Sequence, residues 1–227
     1  MKKVLNALLG LCAIGLAYAC FWSIYSDIRF DDVKTEREAL VKQRLWDIRN
    51  AEEQFKIVHG YYCGTLDSLI DFVKNSKTVD HIVKEGELTD DQLEAGMTER
   101  QAVKMGLIKR DTVWISAAQK LNISNPDSMK YVPVGKPGAE IQLCKRDMYN
   151  LKANEMENLV EARASLDDYL YGVDDKRVRN LKAELKKQGK NKADLFKENE
   201  DDAEGNWYGL RVGDLNDTSN KLAGNWE

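Results

Sequence analysis

The chain opens with an apolar run and continues into a long amphipathic segment. Val4 to Tyr25 carries no charge over 22 residues, and a helix of that length, at about 1.5 Å per residue, matches the ~30 Å hydrocarbon core of a bilayer. From Phe30 the apolar positions recur every three or four residues, which predicts a single apolar stripe on a helix. The stripe consists of Val41, Leu45, Ile48, Ala51, Phe55 and Val58. We therefore expect a transmembrane helix that continues into an amphipathic helix ending at His59 and Gly60, because glycine favours a helix C-terminus.

The charges around the apolar run predict its orientation. Lys2 and Lys3 precede the run, whereas a net acidic flank follows it, and the positive-inside bias places the basic side in the cytoplasm. The lipid bilayer is then a partner through residues 4–25, and the bulk of the chain lies on the far side. Asp31 or Asp32 could cap a new helix, so the continuity of the helix across residues 26–32 stays open.

Two processing signals compete with a retained anchor. Ala17-Tyr18-Ala19 has the small-x-small form of a signal-peptidase site, but the apolar run continues beyond it and is long for a signal peptide. A lipoprotein would be acylated on Cys20, and the bulky Tyr18 fits that signal poorly. We expect the anchor to be retained.

Beyond Gly60 the pattern predicts short helices at 65–75, 98–106 and 174–188, and strands at 78–84, 107–116, 158–164 and 207–212. A hairpin is expected from Lys130–Val134 and Ala139–Arg146, joined by the turn at 135–138. The expected fold class is α+β, in which the N-terminal transmembrane helix continues into a long amphipathic helix packed on a small antiparallel sheet with short helices. We expect Trp114 to lie in the core of that sheet. Packing of the stripe on this sheet is favoured over a coiled coil with another copy, because the stripe spans fewer than four clean heptads.

The same pattern suggests how the chain is divided. We expect a cytoplasmic tip and transmembrane anchor at 1–26 and an amphipathic stalk helix at 27–60. A periplasmic α+β domain would occupy 61–188, and a polar loop with a C-terminal strand or tail would occupy 189–227. The polar stretch that opens the last segment has the composition of a loop or linker.

Charge and cysteine usage narrow the function classes. The net charge is −4, and since Lys2 and Lys3 precede the apolar run, the rest is more acidic still, so nucleic acid is not an expected partner. Cys63 and Cys144 are the cysteines outside the run, too few for a cysteine-based zinc site. In an oxidising compartment they could form a disulfide, or they could remain two buried thiols.

No catalytic, metal-binding or cofactor-binding constellation emerges from the residues. His59 and His81 are the only histidines, and neither has a second histidine at ligand spacing. The acidic pairs stand mostly at helix starts or in polar loops, where capping and solvation account for them. A further group of aromatic residues in turn or terminal contexts offers candidate partner-binding anchors. They are Tyr61, Tyr62, Trp207, Tyr208 and Trp226.

Several segments spread over nearly the whole chain carry a resemblance. They are MKKVLNALLG, RLWDIRNAEEQFKIVHGYYCGTLDSLIDFVKN, EGELTDDQLEAGMTERQAVKMGLIKRDTVWIS, SMKYVPV, GLRVGDLN and AGNWE. Together they resemble an uncharacterised family of single-pass inner-membrane envelope proteins from Bacteroidota. The resemblance implies an inner-membrane location with the bulk of the chain in the periplasm. It implies no activity and no catalytic or ligand residue.

The layout of apolar segment, continuous helix and small sheet is also similar to that of type IV pilins and pseudopilins. Residues near the predicted helix end have spacings similar to those of the pilin helix: Ala51, Phe55, Gly60 and Tyr61-Tyr62. Pilins carry a leader cut after glycine and a glutamate inside the apolar run. Here Gly10 precedes Leu11 and the run holds no acid, so the similarity concerns architecture alone.

The expected function is that of a non-enzymatic, membrane-anchored periplasmic scaffold or assembly subunit of an envelope complex. Its expected partners are other envelope proteins or copies of itself. The alternative is a periplasmic module that binds peptidoglycan or polysaccharide through the loop aromatics. An enzyme ranks third, and it would need a deep pocket lined by convergent polar groups.

Overall fold

The computed structural model describes residues 2–86, 88–89, 92, 96–151, 153–190, 207–218 and 222–227. Side chains are described for these residues except at 2–8, 23–24, 26–27, 81–85, 99 and 110–112. The fold is α+β, with helices and two small antiparallel sheets. The coarse fold class predicted from the sequence is therefore confirmed.

Helices and strands alternate irregularly along the chain. The helices are α1 (Lys2–His59), α2 (Leu66–Asn75), α3 (Glu99–Lys104), α4 (Ala117–Leu121), α5 (Leu166–Tyr169) and α6 (Asp175–Lys187), with a 3-10 helix at Pro126–Lys130. The strands are β1 (Lys77–Glu85), β2 (Lys109–Ser116), β3 (Gln142–Asn150), β4 (Glu155–Ser165) and β5 (Gly209–Gly213). One sheet pairs β1 with β2, and the other has the order β3-β4-β5.

Helix α1 is unbroken over 58 residues. The helix is therefore continuous across residues 26–32, and neither Asp31 nor Asp32 starts a new one. It ends as predicted, because Gly60 adopts φ +84°, a conformation that glycine takes without steric cost. The Gly60 N–H donates to the Lys56 carbonyl at 2.8 Å and closes the last turn.

The predicted transmembrane run, residues 4–25, lies partly outside the described side chains. Within the part of the chain that is described, no helix is both long enough and apolar enough to cross a membrane. The large apolar side chains described in and just after this run are exposed: Leu9, Leu11, Ile14, Leu16, Tyr18, Phe21, Trp22, Tyr25 and Ile28. The transmembrane segment stays a prediction.

Contacts divide the chain into two compact units. The first unit holds residues 1–43, 132–140 and 164–210, and the second holds residues 44–131, 141–163 and 211–227. Each unit therefore combines part of α1 with segments that are distant in sequence. The four-part division expected from the sequence stays a prediction.

The second unit buries the middle of the apolar stripe of α1, whereas Val58 at its end is 37% exposed. Leu45, Ile48 and Ala51 are fully buried, and Phe55 is 8% exposed. The Phe55 ring meets Phe72 of α2 edge-on, with ring centroids 5.1 Å apart. Helix α2 has its own buried face, formed by Leu66, Leu69, Ile70, Phe72 and Val73. This part of the stripe is thus buried by the chain itself, whereas packing of the stripe on the sheet stays a prediction.

Trp114 does not lie in the core, and that prediction is wrong. The residue stands opposite Val79 in the register of β1 and β2 and is 53% exposed. Neighbouring residues on a strand point to opposite faces, and Thr78, beside Val79, donates its hydroxyl to Gln54 of α1 at 2.8 Å. Trp114 therefore belongs to the face that is turned away from α1.

The hairpin expected from Lys130–Val134 and Ala139–Arg146 is also wrong. Two backbone hydrogen bonds join the two segments that were predicted to pair. The Val132 N–H donates to the Ala139 carbonyl and the Ile141 N–H donates to the Lys130 carbonyl, each at 2.9 Å. The segment between them packs in the first unit, where the Lys136 N–H donates to the Asp168 carbonyl at 2.8 Å. The hairpin forms instead from β3 and β4, in a register from Gln142 opposite Arg163 to Asn150 opposite Glu155.

We expect the substitution Phe55→Ala to lower the free energy of unfolding by about 3 to 5 kcal/mol, because it removes a buried ring and leaves a cavity beside Phe72. Trp46→Ala is the matched control on the same helix. Trp46 is 38% exposed, so its loss should cost about 1 to 2 kcal/mol. Urea unfolding followed by circular dichroism measures both changes, and equal losses would contradict the packing described for Phe55.

Candidate partner-binding surface

The loop after α1 is fixed at two points in the second unit. The Tyr62 N–H donates to Asn158 Oδ1 of β4 at 2.7 Å. The Cys63 N–H donates to Glu52 Oε2 at 2.8 Å. Since both acceptors belong to regular elements, the loop holds Tyr61 in a defined position.

Tyr61 is the predicted anchor that is most clearly exposed, at 48%. Its ring contacts Phe55 and His59, with centroids 5.8 and 6.1 Å away. Lys145 of β3 places its ammonium group 5.3 Å from the ring centroid. The stem of Lys145 lies against Gly64, where an added Cβ would come within 3.0 Å of Cδ. The ring of Tyr61 therefore packs against these three side chains and remains partly exposed to solvent.

Tyr62 is 4% exposed, so it does not lie at the surface, and its role in partner binding stays a prediction. Burial raises the pKa of its hydroxyl, and the nearby acidic groups Glu53, Glu52 and Glu157 raise it further. The Lys56 ammonium group lies 4.1 Å from the ring centroid. Tyr62 therefore packs in the interior of the unit, beneath the loop.

The remaining predicted anchors are dispersed. Trp207 is buried in the first unit, and its role in partner binding stays a prediction. Tyr208 is half-buried there, where its carbonyl accepts from the Leu166 N–H at 2.9 Å. Trp226 is half-buried in the second unit, with its ring 6.2 Å from that of Trp46. The five predicted residues are therefore divided between the two units, and two of them are buried.

The tip of the β3–β4 hairpin adds exposed apolar residues that the sequence analysis missed. Tyr149 and Met156 stand opposite each other in the register, and Leu151 follows in the turn. All three are exposed. Side chains on a strand alternate, so Tyr149 shares a face with Lys145, which contacts Tyr61. We call Tyr61, Tyr149, Leu151 and Met156 the hairpin face.

A sequence signal for this tip existed. Asn150 to Asn154 holds two asparagines at turn spacing, and Asn154 adopts φ +56°, which asparagine tolerates better than most residues. The apolar residues on either side then read as the ends of two paired strands. The sequence also predicts a turn at Gly135–Gly138, and the hairpin prediction was based on that turn.

Glu52 is a buried acid beneath the candidate surface. The residue is 1% exposed, and burial raises the pKa of its carboxyl to about 8, an effect that the hydrogen bond from Cys63 and the charge of Lys145 offset in part. Among the described residues, its Oε1 atom has no hydrogen-bond partner. At neutral pH the carboxyl is therefore mostly protonated and still accepts from Cys63 through Oε2.

Cys63 and Cys144 are free thiols in the structure, so the candidate disulfide between them is not formed here. Cys63 is buried, and burial raises the pKa of its thiol. Lys145 faces Gly64, so its strand neighbour Cys144 points to the opposite side of β3. The sequence could not reveal this orientation, because it depends on the register of the sheet.

A polar groove of about 430 Å³ runs between α2 and the 3-10 helix. Ion pairs formed by residues of its lining join Lys74 to Asp127 at 2.6 Å and Lys130 to Asp67 at 3.1 Å. Asp67 and Asp127 are largely exposed. Within the described residues, no group of three His, Cys, Asp or Glu side chains is placed to hold a metal ion. The groove therefore supports no assignment of catalytic roles.

Comparison of the chain with protein-family models, with curated proteins and with solved structures gave no match in any of the three.

We expect the substitution Glu52→Gln to stabilise the second unit in a pH-dependent manner. The pKa of Glu52 is raised from 4.5 to about 8 on folding, so the stability it contributes is fully present below pH 4.5 and is lost as the pH rises to 8. A glutamine keeps an acceptor for Cys63 and does not titrate. Its stability advantage should grow between pH 4.5 and 8 by about 4 kcal/mol and then level off.

The matched control is Glu53→Gln, which removes the i,i+4 ion pair with Arg49. The Glu53 side chain is 44% exposed, so the change should stay within about 0.5 kcal/mol. Thermal unfolding of both variants at several pH values gives the comparison. A constant difference between wild type and Glu52→Gln from pH 5 to 9 would contradict a buried, protonated Glu52.

Proposed function

We propose that the chain is a membrane-anchored periplasmic scaffold or assembly subunit of an envelope complex, non-enzymatic and pilin-like in layout. One observation carries the proposal. Every side chain described from residue 9 to residue 22 of α1 is exposed, although this stretch is apolar on all sides. A helix of this kind needs an apolar environment. The lipid bilayer supplies one, and the run of 22 uncharged residues in the sequence has the length to span it.

The structure of α1 supports the scaffold role. The helix continues without a break from the apolar run to the folded units, and the 35 residues from Tyr25 to His59 give about 50 Å of helix. The loop that carries Tyr61 follows its end. An exposed apolar surface at the end of a long anchored helix suits recruitment of an envelope protein or another copy of the chain.

The peptidoglycan or polysaccharide alternative has less support. It relied on several loop aromatics acting as one platform, and Tyr62 and Trp207 are buried. Tyr61 alone would remain on the loop after α1. A protein partner that covers the hairpin face accounts better for exposed methionine and leucine side chains beside the tyrosines.

Topology is tested by cysteine labelling. In a full-length variant whose native cysteines are replaced, Lys190→Cys should react with a membrane-impermeant maleimide once the outer membrane is permeabilised. Lys190 is exposed and lies on the periplasmic side in the proposed orientation. Lys2→Cys is the matched control and should react after inner-membrane lysis. Labelling of Lys190→Cys that also requires inner-membrane lysis would contradict the orientation.

Partner recruitment is tested by affinity purification from detergent-solubilised membranes. A stoichiometric protein partner, or a second copy, should be recovered with the wild-type chain. The double substitution Tyr61→Ala with Tyr149→Ala should reduce its recovery more than about 10-fold, since exposed aromatic anchors commonly carry 2 kcal/mol or more of binding energy.

Trp114→Ala is the matched control for this purification. Trp114 is exposed to a similar extent, belongs to the same unit and lies in the other sheet, so its loss should leave recovery unchanged. Thermal unfolding excludes a general loss of structure. Retention on isolated cell wall that depends on Tyr61, without a protein partner, would instead favour the polysaccharide alternative.

A further inference from the structure

Helix α6 carries a one-sided basic surface in a chain whose net charge is −4. Successive residues of a helix are about 100° apart, and four exposed cations of α6 fall within one face roughly 100° wide. These are Lys176, Arg179, Lys186 and Lys187. Ala183 lies in the middle of this face and is also exposed. We call these four cations the basic stripe.

The other side of α6 packs inside the first unit. Val178 is buried there. Two cations on this side have partners: Lys182 pairs with Asp167 at 2.6 Å, and Arg177 lies 3.6 Å from Asp174. In contrast, no acidic side chain among the described residues lies within ion-pair distance of a stripe cation. Within the part of the chain that the structure describes, the stripe cations therefore form no ion pair.

Contacts with α1 show where α6 begins relative to the apolar run. Arg37 of α1 donates to the carbonyls of Tyr169 and Tyr171 at 3.0 and 2.9 Å. Farther along, the guanidinium of Arg177 lies 5.8 Å from the centre of the Phe30 ring. Phe30, the second of these contact points on α1, lies seven residues closer to the apolar run than Arg37, the first. Phe30 stands five residues beyond Tyr25, which is about 8 Å along the helix.

We propose that the basic stripe of α6 binds the phosphate headgroups of anionic phospholipids in the membrane that holds α1. The proposal rests on the proposed function, because it requires the apolar run to be inserted. Basic side chains within a Debye length of an anionic bilayer are attracted to it. The position of Arg177 beside Phe30 puts the start of α6 within that distance of the headgroup layer. Anchor and stripe would then hold the first unit to the membrane at two points.

The test uses the full-length chain with native cysteines replaced and Ala183→Cys labelled with a fluorophore. The protein is reconstituted into vesicles of phosphatidylcholine alone or with phosphatidylglycerol, each containing a headgroup-level nitroxide lipid. Quenching at position 183 should be at least about twofold stronger in anionic vesicles and should disappear in high salt. A label at Ser124, exposed in the second unit, serves as the control and should not respond to lipid charge.

Neutralising part of the stripe gives the matched variant pair. Near an anionic surface each Lys or Arg contributes about fivefold, so Lys186→Gln with Lys187→Gln should weaken docking by more than about 10-fold. Lys104→Gln with Lys109→Gln, an equal loss of exposed charge in the second unit, should leave the quenching unchanged. Equal quenching in neutral and anionic vesicles, or quenching unaffected by loss of Lys186 and Lys187, would overturn the proposal.

Vesicle flotation separates this proposal from the anchor itself. A chain anchored by α1 floats with neutral and anionic vesicles alike and resists alkaline extraction. If the anchor holds and the stripe does not, the chain floats while the Ala183 label stays unquenched. If the anchor fails, the chain does not float with neutral vesicles, whatever the label reports in anionic ones.

Discussion

Burial of one stripe of α1 is the constraint on which the second unit depends. Leu45, Ile48, Ala51 and Phe55 supply a continuous apolar wall, and α2 covers part of it through Phe72. The same helix turn brings Glu52 under the loop, where its carboxyl accepts from the Cys63 N–H and burial raises its pKa. Packing and a polar contact thus come from adjacent residues of one helix, and the position of Tyr61 follows from both.

Local patterns predicted the elements well because their causes are local. The stripe of α1, the glycine at its end, the apolar face of α2 and the capping of α3 by Thr98 and Gln101 each depend on residues a few positions apart. The assignment of alternating sequence segments to two different units was not predictable in this way. Whether residues 132–140 join Asp168 rather than extend a hairpin depends on contacts between distant parts of the chain, and a single sequence does not display them.

The candidate surface likewise has features that local sequence predicts and features that depend on contacts between distant residues. Tyr61 was predicted correctly as exposed, since it follows a helix end. Tyr62, the next residue, is buried because its backbone is drawn to Asn158, almost a hundred residues away. Tyr149 and Met156 were missed because their importance lies in standing opposite each other across a hairpin. Composition identified aromatic residues in loops, but register and burial decide which of them a partner can reach.

The unbroken course of α1 has a mechanical consequence. Between Tyr25 and His59 the sequence contains neither glycine nor proline, the usual causes of a kink. If the apolar run is inserted in a bilayer as proposed, a helix without a hinge would act as a lever, whose tilt responds to bilayer thickness. Over about 50 Å of helix, a change in tilt of about 10° moves the far end by about 9 Å. Most of this movement is parallel to the membrane plane, so bilayer thickness would shift the loop after His59 sideways over the lipid surface.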